Sequence, residues 1–193
     1  MIYLFRHGET DWNAEGRFQG QLDVPLNDKG REQARALIPQ LKEARIEAIL
    51  SSDLVRAFET GQIVASALQI PISADLDLRE AHLGDAQGLT VPEIQKRLGV
   101  ELVARWKSNL PTDADVGYPG GETGSQVIQR VFRAMERFLD TRAFERVAIS
   151  THGGVIRRVM QTLMPPGSPL VPIPNAVVYR IEFDRKSRKF TIK

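Results

Sequence analysis

The chain has 193 residues, enough for one domain with a sizeable core, and its content of 42% hydrophobic and 26% charged residues disfavours disorder. The formal net charge of +2 is too small to indicate a nucleic-acid surface. The absence of cysteine excludes disulfides, thiolate zinc sites and cysteine nucleophiles.

The first part of the chain alternates short apolar runs with helical periodicity. The run from Ile2 to Phe5 predicts a buried strand, and residues 11–26 follow as an irregular loop. Asn27 is the expected N-cap of a helix, within which Pro39 should cause a kink or an early end. The run from Ile46 to Leu50 predicts a second strand. This order of elements is typical of an α/β layered fold.

The middle of the chain begins regularly and then loses its pattern. A helix is predicted from about Asp53, and the run from Ile70 to Ala74 predicts a third, short strand. Residues 81–121 are the least regular segment because glycines and prolines interrupt them. We expect only short helices there, over 91–98 and 100–109.

The last third returns to a regular pattern. Thr123 and Gln126 have the spacing of a capping box at the start of a helix. The run from Arg146 to Thr151 predicts a buried strand, and residues 153–164 predict a helix that two prolines would end. Apolar and polar residues alternate on both sides of a charged turn between Val177 and Ile192, which predicts an antiparallel hairpin at the sheet edge.

Reactive side chains follow the predicted strands or begin the predicted helices, which is where α/β proteins bind ligands. They occur in four segments: Arg6-His7-Gly8, Arg56, Glu80 and His152-Gly153-Gly154. Each has an ordinary alternative when it is considered alone. His152 could be a satisfied core histidine and Arg56 a surface cation. Glu80 could be a surface carboxylate paired with Arg79.

Considered together, these residues suit phosphoryl transfer without a metal. Two arginines and two histidines around a helix N-terminus would bind a dianion. A neutral imidazole is a competent nucleophile, and a carboxylic acid at the rim could protonate the leaving oxygen. Positive charge would then replace the usual magnesium. The phosphate-binding pattern Gly-x-x-x-x-Gly-Lys-[Ser/Thr] is absent from the chain.

Eight short motifs carry a resemblance that runs from residue 1 to about 160. In chain order they are Leu4–Thr10 with Asn13, Phe18–Asp23, Pro25–Asn27 with Gly30, Ser51–Thr60, Leu78–Glu80, Gly84-Asp85, Gly120–Glu122 and Thr151–Gly154. This ordered set resembles the histidine phosphatase superfamily of phosphoglycerate mutase-like proteins. Within it, the chain looks most like the broad-specificity and α-ribazole phosphatases.

The resemblance implies a fold and a role for each matching residue. The fold would be a three-layer α/β/α sandwich with a mostly parallel sheet, helices on both faces and the hairpin at its end. His7 would become phosphohistidine, and Glu80 would protonate the leaving group and then activate water. The implied phosphate-binding set is Arg6, Asn13, Gln19, Gly20, Arg56, His152 and Gly153, of which Arg6, Arg56 and His152 also count as catalytic. No metal or other cofactor is required.

The family resemblance includes both phosphatases and mutases, so chain length and charge have to distinguish between them. Related mutases are usually longer, and residues 81–121 carry few cations for a bisphosphorylated cofactor. We therefore expect a phosphomonoesterase, formed by a single domain over residues 1–193 with 81–121 as a lid. Ala86 stands where related phosphatases often have an aromatic residue, a difference that we expect to change the pocket wall and not the phosphate site.

Three alternatives remain open at this point. The chain could be a cofactor-dependent phosphoglycerate mutase or a non-catalytic phosphate-binding module. A two-histidine metal hydrolase is disfavoured because none of the three histidines has His-x-x-x-His spacing. Among other residues, Trp106 and Tyr118 are expected to pack the lid, and Arg157 and Arg158 to lie on the solvated surface.

The sequence also carries expectations about location and partners. The first apolar run is too short for a signal peptide and ends at Arg6, and no run has the length of a membrane span. We expect a soluble, cytoplasmic protein that acts on a small-molecule phosphate ester, with neither a nucleic acid nor a membrane as its partner. Whether it is a monomer or a homodimer stays open.

Overall fold

The structure is a computed structural model that describes residues 1–108, 110–141 and 143–193. Its strands are β1 (Ile2–Arg6), β2 (Ala48–Ser51), β3 (Ile72–Ala74), β4 (Val147–Thr151), β5 (Val178–Asp184) and β6 (Lys189–Ile192). Within the described ranges they form one six-stranded sheet in the order β3-β2-β4-β1-β5-β6. The first four in this order are parallel, whereas β5 runs antiparallel to β1 and β6 antiparallel to β5. The predicted mostly parallel sheet with a terminal antiparallel hairpin is confirmed.

The helices alternate with these strands along the chain. They are α1 (Asp11–Ala14), α2 (Asp28–Ala36), α3 (Ile38–Glu43), α4 (Val55–Leu68), α5 (Val91–Leu98), α6 (Val100–Lys107), α7 (Gly124–Asp140) and α8 (Gly153–Leu163). Short 3-10 turns cover Leu76–Leu78, Gly84–Ala86 and Pro111–Asp113. Among the described residues, no helix combines the length and the apolar character that crossing a membrane requires.

Two buried clusters, one on each face of the sheet, confirm the three-layer sandwich. Neighbouring residues of a strand point to opposite faces. In β1, Phe5 packs in a cluster with residues of α3 and α4, whereas Leu4 packs in a larger cluster with residues of α5, α6, α7 and α8. The larger cluster contains Ile94, Val103 and Tyr118, so the irregular segment 81–121 is anchored in the core.

The structure confirms several predictions about where helices begin and end. The Asn27 side chain accepts a hydrogen bond from the Gly30 N–H at 2.8 Å, as an N-cap should. Pro39 lies in the first turn of α3, where its missing N–H costs nothing, and it follows the break between α2 and α3. Thr123 and Gln126 form the expected capping box of α7.

Other boundaries differ from the prediction. Residues 11–26 are not all loop, since the four-residue helix α1 lies within them and is too short to produce an apolar period. Helix α4 begins at Val55 and not near Asp53, so Arg56 belongs to its first turn. Glu80 follows a 3-10 turn and not a strand. Helix α6 ends at Lys107, and Asn109 at the end of the predicted 100–109 helix lies outside the described residues.

Candidate active site

The two candidate histidines meet because their strands are neighbours. Strands β1 and β4 are parallel, and Arg6 pairs with Thr151 at their carboxyl ends. The His7 N–H then donates to the Thr151 carbonyl at 2.9 Å, and His152 follows as the N-cap of α8. The two imidazole rings are both buried, with centroids 5.2 Å apart and planes at 60°. His152 is therefore not an isolated core histidine.

Hydrogen bonding sets the proton position on the His7 ring. Its Nδ1 lies 2.6 Å from the Gly8 carbonyl oxygen, which can only accept, so Nδ1 carries the proton and Nε2 keeps a lone pair. Burial, together with the charges of Arg6 and Arg56, holds the pKa of His7 well below its ordinary value. The ring is neutral at neutral pH and presents a nucleophilic nitrogen.

In His152 the hydrogen-bonded nitrogen is Nε2, whereas in His7 it is Nδ1. Its Nε2 lies 2.9 Å from the Ser52 hydroxyl, which also accepts from the Leu54 N–H at 3.3 Å. The Ser52 hydroxyl can donate its proton to Nε2, and the ring proton of His152 then lies on Nδ1. Burial, followed by the charge of Arg56, keeps the pKa of His152 well below its ordinary value. The buried Nδ1 has no partner among the described residues, and it suits a donor to an anion.

Arg56 is a buried cation and Arg6 a half-buried one, and within the described residues both donate to neutral carbonyls. Arg56 donates to the Leu22 carbonyl at 2.8 Å and to the Gly20 carbonyl at 2.7 Å, and Arg6 donates to the Ile173 carbonyl at 2.8 Å. Neither forms an ion pair within the described part of the chain, and the Nε atom of each is buried without a partner there. Burial lowers the pKa of Arg56 to about 10, so it stays charged at neutral pH. Buried charge without a counter-ion favours binding of an anion.

Glu80 is held in place by two backbone N–H groups. Its Oε1 accepts from the Ala81 N–H and its Oε2 from the Gly154 N–H, each at 2.9 Å. A Cβ at position 154 would lie 2.4 Å from Glu80 Oε1, so any larger residue there would displace the carboxylate from this position. Arg79 pairs instead with Asp53, with its Nε 2.7 Å from Oδ1. The Glu80–Arg79 alternative is therefore wrong.

One cavity of about 160 Å³ collects most of the residues that the sequence singled out. Those in its wall are Arg6, His7, Asn13, Gln19, Gly20, Arg56, Glu80 and Gly153. His152 does not reach the wall, but its ring contacts that of His7. The geometry thus brings every predicted site residue to one place, although the part that each plays in a reaction stays a prediction.

Two amide side chains in the wall, those of Asn13 and Gln19, have polar atoms without a hydrogen-bond partner among the described residues. Asn13 Oδ1 accepts from the Thr10 N–H at 3.2 Å and from Asn175 Nδ2 at 3.3 Å, which leaves the Asn13 NH₂ group for the cavity. Asn175 also donates to the His7 carbonyl at 2.8 Å and was not identified from the sequence. The Gln19 Oε1 atom is buried without a partner in the described residues.

The expectation that Arg157 and Arg158 lie on the solvated surface is wrong. Arg157 lines the cavity one helical turn after Gly153. Arg158 donates to the Trp106 carbonyl at 2.7 Å, and its guanidinium lies 4.7 Å from the centre of the Trp106 ring. The sequence did contain a signal for this position. Arg157 and Arg158 follow Gly153 and Gly154 by three to five residues, and residues three or four apart share a helix face.

An ion pair between buried Arg130 and half-buried Glu122 holds the backbone that leads to Glu80. Arg130 Nε donates to Glu122 Oε1 at 2.7 Å, and its Nη2 donates to Glu122 Oε2 at 2.9 Å. The remaining N–H groups of Arg130 donate to the carbonyls of Asp77 and Arg79 at 2.7 Å and of Glu80 at 3.0 Å. Arg130 had not been singled out, because sequence spacing does not indicate which carbonyls a guanidinium will reach.

Arg130→Ala is expected to lower the free energy of unfolding by about 3–5 kcal/mol, because it removes the cationic partner of the Glu122 carboxylate and a donor to three carbonyls. Denaturant unfolding measures the loss. Arg133→Ala on the same helix is the matched control, since Arg133 has a side-chain exposure of 66% and only a 3.6 Å contact with Asp77. Equal stability of the two variants would contradict a structural role for this ion pair.

Comparison with known proteins agrees with this geometry. The family model of the histidine phosphatase superfamily (branch 1) matches residues 2–192. A phosphoglycerate mutase-like protein 4 of Arabidopsis thaliana is 44% identical over 179 residues, covering 92% of this chain and 76% of the relative. A metal-independent phosphoserine phosphatase of the same plant is 40% identical over 162 residues, covering 82% and 66%. A mycobacterial glucosyl-3-phosphoglycerate phosphatase, solved with VO3, superimposes with a TM-score of 0.86 at 28% identity, covering 100% and 95%.

Proposed function

The chain belongs to the histidine phosphatase superfamily and is an enzyme of that type, and we propose that it is a metal-independent phosphomonoesterase that forms phosphohistidine on His7. One observation carries the proposal. The unprotonated Nε2 of His7 belongs to a ring that lines a cavity in which Arg6 and Arg56 have no carboxylate partner among the described residues. The substrate is a small phosphorylated metabolite.

Binding of the phosphoryl group uses the charges that the fold leaves unbalanced. The dianion of a phosphate monoester would lie between Arg6 and Arg56, whose planar guanidinium groups match phosphate oxygens. The Asn13 NH₂ group in the wall adds a neutral donor, and Nδ1–H of His152, whose ring lies behind the wall against that of His7, is the proposed second one. The peptide groups around Gly20 and Gly153 complete the wall.

Transfer to the enzyme then proceeds by displacement at phosphorus. The His7 Nε2 lone pair forms the N–P bond while the P–O bond to the leaving group breaks. Glu80 gives its proton to the leaving oxygen, so that an alcohol departs and Glu80 becomes a carboxylate. Arg6, Arg56 and His152 stabilise the charge on the transferred group in place of a metal ion.

Hydrolysis of the phosphoenzyme reverses the role of Glu80. A water molecule attacks phosphorus and gives a proton to the Glu80 carboxylate as the N–P bond breaks. Phosphate leaves, and both His7 and Glu80 return to their starting forms. The sum of the two steps is ester plus water to alcohol plus phosphate.

Two observations favour this reaction over the alternatives. Lys96, Arg97, Arg105 and Lys107 do not line the cavity, so segment 81–121 brings no cation to it for a bisphosphorylated cofactor. Metal hydrolysis is disfavoured because the described residues contain no cluster of three or more His, Asp or Glu side chains that could hold a metal ion.

The lid role of segment 81–121 belongs to the same proposal. Leu83 and Trp106 from this segment form part of the cavity wall, while Ile94 and Val103 anchor it in the core. We propose that this wall selects the leaving group, because the phosphoryl-binding residues come from elsewhere. The cytoplasmic location and the single-domain organisation are parts of the proposal as well.

Phosphate release from a panel of phosphomonoesters in EDTA tests the proposal, alongside conversion of 3-phosphoglycerate to 2-phosphoglycerate with and without 2,3-bisphosphoglycerate. We expect hydrolysis to continue in EDTA without isomerisation, because the arginines supply the positive charge. Activity that is lost on chelation and recovered with zinc or magnesium would contradict the metal-independent route. Isomerisation that depends on the bisphosphate would assign the chain to the mutases instead.

A further inference from the structure

We infer that Arg157 binds a carboxylate on the leaving group, so that the preferred substrates are phosphate esters of small hydroxy acids. This inference rests on the proposed function and adds the substrate class. Arg157 is a cation of the cavity wall that the proposed phosphoryl-transfer steps do not use.

Arg157 stands on the leaving-group side of the cavity. It lies one turn after Gly153 and Gly154 on α8, so the three residues share a helix face, and all three line the cavity. The Gly154 N–H is the group that holds Glu80 Oε2 at 2.9 Å. Because Glu80 must reach the leaving oxygen, a side chain next to this contact meets the leaving group before the transferred phosphoryl group.

Arg157 also differs from Arg17 and Arg158, the other arginines that lie near the cavity outside the phosphoryl-binding set. Arg17 lines the same cavity, but its charge is balanced by Glu15 at 2.7 Å and Glu93 at 3.4 Å. Arg158 is engaged with Trp106. Half-buried Arg157 has neither a hydrogen-bond partner nor a carboxylate partner in the described part of the chain. A charge so placed is available to a ligand.

The charges of the cavity balance only with a further anion. A fully ionised phosphate monoester brings two negative charges, which Arg6 and Arg56 match. Both histidines are neutral because their pKa values are well below the ordinary value. Glu80 must be protonated to act as an acid. The positive charge of Arg157 is then left over in a partly closed site, where an uncompensated charge is costly.

A carboxylate matches the single positive charge of Arg157 better than a second phosphate does. One guanidinium can hold one carboxylate through two parallel hydrogen bonds, with equal and opposite charge. A second phosphoryl dianion would need a further cation, and the nearest candidate, Arg17, is already paired. The cavity of about 160 Å³ is below the range of about 300–1,000 Å³ that is usual for drug-sized ligands, which indicates a compact acid.

A matched pair of esters tests the inference. 3-Phosphoglycerate and glycerol 3-phosphate differ only in carrying a carboxylate or a hydroxymethyl group. We expect the ratio of kcat/KM for the first to kcat/KM for the second to fall about 10- to 100-fold in Arg157→Gln, the usual effect of losing one hydrogen bond between charged groups. Arg157→Lys should keep part of the preference. Arg180→Gln, an exposed position on β5 outside the cavity wall, should keep the wild-type ratio.

A binding measurement separates this inference from the proposed chemistry. Calorimetric titration of His7→Ala with 3-phosphoglycerate needs no turnover. The double variant His7→Ala, Arg157→Gln should bind that ester about tenfold more weakly, with a smaller change for glycerol 3-phosphate. Equal weakening for both esters, or none, would overturn the carboxylate site whatever the catalytic assays give. Hydrolysis of neither ester together with the expected binding difference would overturn the phosphatase proposal alone.

Discussion

His7→Ala is expected to reduce phosphatase activity by about 10⁴- to 10⁶-fold, the loss seen when a covalent nucleophile is removed from other enzymes. The Nε2 atom of His7 is the nucleophile of the proposed reaction, and the Gly8 carbonyl at 2.6 Å from Nδ1 fixes the tautomer that exposes it. Alanine removes the nucleophile while leaving Arg6, Arg56 and the rest of the phosphoryl-binding wall in place.

Trapping of the phosphoenzyme provides the direct measurement. Wild-type protein mixed with a ³²P-labelled ester and quenched in alkali should retain label, because phosphohistidine survives alkali, whereas His7→Ala should not. His82→Ala is the matched control, since His82 lies outside the cavity wall and its Nδ1 only accepts from the Gly84 N–H at 3.3 Å. An active His7→Ala protein, or label retained by it, would disprove the assignment of the nucleophile.

Glu80→Gln should impair the enzyme in a way that depends on the leaving group. Glutamine has nearly the shape of glutamate but cannot donate a carboxyl proton. We expect a loss of about 10²- to 10⁴-fold for alkyl esters, whose leaving alkoxide needs that proton. The loss for p-nitrophenyl phosphate should be much smaller, because p-nitrophenolate is stable without protonation.

The comparison between the two ester classes controls for structural disturbance by the substitution. Glutamine at position 80 can accept only one of the two hydrogen bonds that the Ala81 and Gly154 N–H groups donate to the carboxylate. Any disturbance from the lost bond would act on both esters alike. Equal losses for an alkyl ester and for p-nitrophenyl phosphate would therefore indicate a structural role for Glu80.

The elements that were predicted well are those whose signals are local. The alternation of side chains in β5 and β6, the apolar stripe of α7 and the N-cap at Asn27 depend on neighbouring residues only, and they persist in the fold. Helix α1 was missed because four residues do not complete a period. The start of α4 was placed too early because no side chain caps that helix.

The candidate site was predictable because parallel strands end at a common edge. Residues that follow β1 and β4 must lie close together once these strands pair, which is why His7 and His152 were expected to meet. The individual roles came from the family resemblance and not from the spacing. Arg157 was missed because its role depends on which face of α8 is turned toward the cavity. Arg130 was missed because its role depends on which carbonyls lie within reach of its guanidinium.

The order of most strands and helices, the family, and the set of side chains at the carboxyl ends of the strands can be predicted from the amino-acid sequence alone. These follow from local periodicity, capping and short motifs. The protonated nitrogen of His7, the pairing of Arg79 with Asp53, and the unbalanced charges of Arg6, Arg56 and Arg157 emerge only when the chain is folded. The physical reason is that burial and hydrogen bonding join groups far apart in the chain, and these contacts set charge and pKa values.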